Sequence, residues 1–286
     1  MKSILTTVLF CFALISSAQT IIRGAIKDGI TDSPLPYVNI GIKDTRIGTV
    51  SDSKGLFTLT IPENLNENTL IVFSYVGYNT RQCSVGELMK INNIEMKPSI
   101  QSLETIVLNL KAPKFKKVGR TFKGFGLTHV NFYTAQEAEV DDRLSKELGM
   151  KFNIKKDCRI TGLNFNITSN DFKSVKFRVN FYSIKDGLPN VLLIEENIIC
   201  EVNDRQLGWF NIDLKPYEVY LSKDVGDIAV TLQWIESKKA RENSKYFSLS
   251  AAKAPFSNLY YKEKAMSAWV SSGNNLSFYL DVLEAQ

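Results

Sequence analysis

The chain has 286 residues, of which 44% are hydrophobic and 23% charged, with a formal net charge of +5. That is enough chain for one or two buried cores, and so mild a charge excludes the concentrated basic footprint of a nucleic-acid binder. A single histidine, His129, excludes a zinc centre that draws two imidazoles from one chain.

The first segment, MKSILTTVLFCFALISSA, has Lys2 as a positive n-region, an apolar run from Ile4 to Ile15, and small residues at Ser16 and Ala18. This predicts a secretory signal peptide over residues 1–18, cleaved after Ala18. The run is shorter than the roughly 20 residues a spanning helix needs, and bulky Phe10 before Cys11 argues against lipidation. Cleavage leaves 268 residues and a net charge of +4. With no later apolar stretch of spanning length, the expectation is an exported protein without an integral membrane segment, whether periplasmic, outer-membrane-associated or extracellular. Export permits disulfides. Cys83, Cys158 and Cys200 remain, so at most one internal bridge forms. Cys158 with Cys200 is the expected pair, and three buried free thiols are the equal alternative.

From residue 20 onward the pattern is β throughout. Short alternating runs such as TIIRGAIKD, GLFTLTI, LNFNIT, VKFRVNFYSI, WFNIDL and DIAVTLQWIE are separated by Gly, Asn, Asp or Pro. Only residues 135–149 suggest a short helix, with an acidic loop as the alternative. Strands without intervening helices predict antiparallel sandwiches. A basic, pattern-poor stretch at 109–118, continuing through Arg120 and Lys123, divides the chain into domains at 20–108 and 119–286. It reads as a solvated linker or as a contact for an anionic partner.

The first domain carries G-x-I-x-D at Gly24–Asp28, then P-L-P-x-V-x-I at Pro34–Ile40, then G-T-x-S-D-x-x-G-x-F-x-L at Gly48–Leu59, and F-S-Y-V-G-Y at Phe73–Tyr78. In this order the motifs resemble the carboxypeptidase regulatory-like domain of Bacteroidetes cell-envelope proteins. Leu103–Leu108 resembles the stretch that follows this domain in TonB-dependent receptors. The resemblance covers about residues 20–108 and implies a small prealbumin-like β-sandwich without catalytic residues. About 168 residues remain after the linker, too few for a receptor plug and its large outer-membrane barrel.

The second domain shows no G-x-S-x-G, C-x-x-C, H-E-x-x-H or P-loop motif. Glu137, Glu139, Asp141 and Asp142 form an acidic cluster without calcium-loop spacing. If LNFNIT and VKFRVNFYSI are neighbouring strands, alternation sends Phe165, Phe177 and their parity mates inward. It sends Asn164, Asn166, Arg178, Asn180 and Tyr182 outward. With Trp209 outward in WFNIDL, that face offers amides, a guanidinium and aromatic rings, which suit a hydroxyl-rich ligand; the plainer reading is the polar outside of any sandwich. The layout loosely resembles a jelly-roll of the carbohydrate-binding kind. Trp234 is expected in the core. The reading is an all-β, non-catalytic envelope protein without cofactor or metal, acting by binding or scaffolding, with glycan or another envelope protein as partner. The alternatives are a carboxylate-based hydrolase and an accessory subunit of an outer-membrane assembly.

Overall fold

A computed structural model describes residues 19–99, 112–124, 128–133, 143–203, 205–255 and 259–285. The signal segment, Leu103–Leu108 and the acidic cluster at Glu137–Asp142 lie outside the described residues.

The first unit packs two sheets. One has the order β4 (Leu56–Pro62), β1 (Gln19–Asp28), β7 (Asn93–Met96), with β4 antiparallel and β7 parallel to β1. The other has the order β3 (Gly48–Val50), β2 (Asn39–Gly41), β5 (Leu70–Ser74), β6 (Arg81–Ser84). A single-turn helix, α1 (Val85–Leu88), is closed by a capping box between Ser84 and Glu87. Alternation along β4 is strict: Phe57, Leu59 and Ile61 enter a core with Ile26, Ile40, Phe73 and Ile94, while Leu56, Thr58 and Thr60 face out. The motif residues have local work. Asp28 accepts the Ile30 and Thr31 amides and the Tyr78 hydroxyl, the last at 2.6 Å. Asp52 accepts the Lys54 and Leu56 amides. Gly55 sits at φ +75°, and a Cβ there would lie 2.6 Å from the Ile26 carbonyl.

The second unit is a larger sandwich. One sheet is built from β13 (Leu188–Leu192), β12 (Phe172–Lys185), β17 (Asp227–Lys239), β10 (Glu147–Asn153), β19 (Leu259–Lys262) and β20 (Val270–Ser272), with β14 (Ile198–Asn203) also on β12. The facing sheet runs β21 (Asn274–Leu276), β18 (Phe247–Lys253), β11 (Cys158–Asn170), β22 (Phe278–Glu284), β8 (Lys114–Gly119). In it β15 (Gly208–Asp213) and β16 (Tyr220–Leu221) pair with β11, and β9 (His129–Asn131) pairs with β18. Asp186 and Gly187 both take positive φ in the two-residue turn between β12 and β13, as a hairpin of this twist requires. The core centres on Trp234, ringed by Phe132, Phe172, Phe177 and Phe247 at 5.1–5.7 Å between centroids. Each such side chain contributes about 1.5–3 kcal/mol by burial.

Three expectations are corrected. Residues 147–149 are not helical: they open β10, which is hydrogen-bonded to β17 and β19. The basic linker ends early, because Lys114–Gly119 is a strand paired along its length with β22. LNFNIT and VKFRVNFYSI are consecutive but not neighbours. A single residue, Asp171, separates β11 in one sheet from β12 in the other, and Asn170 fixes that corner by accepting the Phe172 amide at 3.0 Å.

Candidate functional site

The corner at Asp171 divides the six residues expected to share a face. Asn164, Asn166 and Trp209 lie on the outer face of the β15–β11–β22–β8 sheet, where Asn164 stands opposite Asn211 and Tyr279, and Asn166 opposite Trp209. The Trp209 and Tyr279 rings, carried by the strands on either side of β11, meet edge-to-face at 5.1 Å. Both asparagines are therefore buried, and the surface a ligand would meet is Trp209, Tyr279 and Asn211. Below the rings runs a polar ladder: the Asn211 amide donates to Asn164 Oδ1 at 2.9 Å, and the Asn164 amide donates to Asp281 Oδ2 at 2.7 Å. Gly162 has no side chain between Asp213 and Asp281, which stand opposite it on its two flanks, and a Cβ there would lie 2.9 Å from Asp281 Oδ2. Lys117 of β8 sits over the Tyr279 ring at 4.8 Å. The face thus joins two aromatic rings, an exposed amide, carboxylates and a lysine beside a one-residue dip.

Arg178, Asn180 and Tyr182 lie on the outer face of the other sheet, and that face is covered. This corrects their assignment to an open surface. The Arg178 guanidinium, 1% exposed, donates to the Tyr37 carbonyl at 2.6 Å, to Gln233 at 3.0 Å and to Asn197 at 2.8 Å, with the Tyr75 ring 5.6 Å away. Tyr37 and Tyr75 belong to the first domain. Gln233 donates to Asn39 and Asn197 to the Tyr75 hydroxyl. The Tyr37 hydroxyl reaches Glu236, which also binds Lys176. Ile235 is the extra residue of a bulge against Lys176 and Phe177, and it packs on Tyr37 and Val50. Asn180 and Tyr182 instead donate to Glu147, fully buried on β10, which also pairs with Lys262 at 3.0 Å. Lys262 lies 4.5 Å from the Trp269 ring, and Trp269 contacts Tyr182. Burial, then the Glu147 charge, raises the Tyr182 phenol well above its ordinary range. Burial also opposes charge on Glu236, yet its bonds from Lys176 and Tyr37 prevail and hold the carboxyl below the usual value. Arg178, Asn197, Gln233, Ile235 and Glu236 join the two domains, whereas Asn180, Tyr182 and Glu147 bond within the second.

Cys158 and Cys200 are free thiols, as is Cys83. Cys158 is on β11 and Cys200 on β14, in opposite sheets, so the expected bridge does not form; Cys83 and Cys158 are buried and Cys200 half-buried. Burial pushes the Cys158 and Cys200 thiols up to about 12, which leaves them unreactive. His129 is exposed on β9. Among the described residues no group of His, Cys, Asp or Glu is placed to hold a metal, and no helix is long and apolar enough to cross a membrane.

Tyr279, Asp281 and Lys117 completed the open face unforeseen. The local signal was the alternation in FYLDVLE, which turns Tyr279 and Asp281 away from the core. Nothing local says that this strand lies beside β11.

In the first domain, the bonds at Asp28, Tyr78 and Asp52 account for the motif order seen in the sequence, and the two short sheets form a prealbumin-like sandwich. Residues 22–108 match the CarboxypepD_reg-like domain. The chain is 35% identical over 95 residues to TonB-dependent receptor P39 of Formosa agariphila, covering 32% of this chain and 8% of the receptor. It is 26% identical over 140 residues to TonB-dependent receptor P3 of the same organism, covering 47% of this chain and 14% of that one. The chain therefore spans only a small part of either relative. Among solved structures, the cysteine protease and lectin-like domains of Cwp84, a surface-layer-associated protein of Clostridium difficile, align with 93% of this chain and 58% of theirs. Identity is 11% and the TM-score 0.41, too low to equate the folds.

Proposed function

We propose that this is a non-catalytic, exported cell-envelope protein that binds glycan on the open face of its second sandwich. The observation that carries the reading is the Trp209–Tyr279 pair at 5.1 Å beside the exposed amide of Asn211. Aromatic faces stack on the C–H surface of a sugar ring, and a directed amide selects its hydroxyls. Asn164 acts from below by bridging Asn211 to Asp281, and Asn166 is buried opposite Trp209. The CarboxypepD_reg-like domain serves as the module that holds the second sandwich in place, and relatives named as TonB-dependent receptors support an envelope setting.

A glycan array with folded protein tests the reading. Trp209→Ala and Tyr279→Ala should each weaken the retained glycan at least tenfold, and Asn211→Ala by the severalfold expected of one hydrogen bond. A blank array would overturn the sugar reading.

A hydrolase is the second reading, favoured by Asp213 and Asp281 on either side of Gly162. Both carboxylates already have partners: Asp281 accepts the Asn164 amide, and Asp213 the Lys215 amide at 3.1 Å. Release of reducing ends from a bound glycan, abolished in Asp213→Asn, would establish hydrolysis in place of simple binding.

A further inference from the structure

A cleft of about 1110 Å³ opens where the two domains meet, away from the aromatic face. Its first-domain wall includes β4, the last strand of its sheet, which among the described residues pairs with β1 on one side only. The Leu56 amide and carbonyl both bond to Asp52 rather than to β1. In an antiparallel pair, main-chain groups turn to the partner and away from it on alternate residues. Thr58 and Thr60, at the parity of Leu56, therefore direct their N–H and C=O groups away from β1. Both residues line the cleft, which so contains an open strand edge of the kind that recruits another strand.

Charge selects what would fit there. Arg23, Arg46 and Lys264 line the cleft, against the carboxylates of Asp52 and Glu236. Asp52 is occupied with its own turn, and Glu236 with Lys176 and Tyr37. Arg23 stands opposite Thr58 on β1, is exposed, and has no acceptor among the described residues. Beside it on the outer face of the same two strands, Ile21 and Leu56 are about half exposed.

We propose that this cleft receives an extended acidic peptide segment of a partner protein, which adds as a strand to β4. Main-chain bonds to Thr58 and Thr60 supply affinity, as in other strand additions. Arg23 selects carboxylate side chains, and apolar residues of the segment cover Leu56. The segment is matched to the seven residues of β4.

Titration calorimetry of the two-domain protein tests this with an eight-residue peptide alternating valine and glutamate. Its lysine counterpart, a glutamate peptide with alternate N-methyl amides, and an acidic tetrasaccharide serve as comparisons. Binding of the glutamate peptide is expected, with loss of at least tenfold on N-methylation and none of the lysine peptide bound. Thr58→Pro removes an N–H that faces the cleft rather than β1 and should weaken binding at least tenfold. Arg23→Glu, which leaves the backbone intact, should do the same, whereas Trp209→Ala should not. No binding of the glutamate peptide, equal binding of the lysine peptide, indifference to both the Thr58→Pro and Arg23→Glu variants in folded protein, or binding of the tetrasaccharide instead would each overturn the proposal.

Discussion

Asp28 shows how one carboxylate organises a turn and can be read by pH. Its bond from the Tyr78 hydroxyl, followed by those from the Thr31 and Ile30 amides, holds its carboxyl below the ordinary value. Tyr78 is pushed up to about 12, by burial first and then by Asp28. A carboxyl with a depressed folded value contributes stability that is present above its unfolded pKa, near 4, and is lost as the pH falls through the folded value. Tyr78→Phe should therefore lower the urea midpoint of unfolding at pH 7, and the gap to the parent should shrink toward pH 2. A gap unchanged with pH would mean that the phenol acts only through packing. Asp28 and Tyr78 were legible in the sequence as members of ordered motifs. Their contact was not, because 50 residues separate them.

At the scale of elements, alternation correctly assigned the inward faces of β4, β11, β12 and β15, since a period of two is a local property. It gave no sheet membership. The outward parity of Arg178 and Tyr182 was read correctly, but parity does not say what covers a face. Turns were the most legible elements. Gly55 is required both by its φ of +75° and by the nearby Ile26 carbonyl. Gly55→Ala should cost about 1–3 kcal/mol, measured as a lower thermal midpoint. Asp52→Ala should cost about 1 kcal/mol by leaving the Lys54 and Leu56 amides without their acceptor.

At the scale of the molecule, the two domains are joined by polar groups withdrawn from water rather than by a simple linker. Arg178 satisfies three acceptors at the junction, one of them the carbonyl of Tyr37, whose φ of +59° is the left-handed conformation that few side chains adopt. Burial lowers the guanidinium's affinity for its proton, so the arrangement depends on all three bonds. Arg178→Met should cost on the order of 3 kcal/mol by leaving buried acceptors unmatched. In calorimetry it should split one unfolding transition into two, with the CarboxypepD_reg-like domain melting first. A single transition at an unchanged temperature would show that the junction is incidental. No local pattern announces this interface. The asparagine, glutamine, tyrosine and arginine that build it look the same in sequence whether water or another domain lies above them.

The one-residue corner at Asp171 also bears on how the second sandwich assembles in time. Phe165 and Phe177 meet across the two sheets at 6.4 Å between centroids, although only eleven residues of chain lie between them. By contrast β11 and β22 must find each other over more than a hundred residues. Closing the short loop costs far less chain entropy, so the corner is the natural nucleus and the β22 pairing a late event. Phe165→Leu should slow refolding, whereas Leu280→Ala should chiefly hasten unfolding. Because β22 carries Tyr279 and Asp281, the face that holds the Trp209–Tyr279 pair would be the last part of the sandwich to mature.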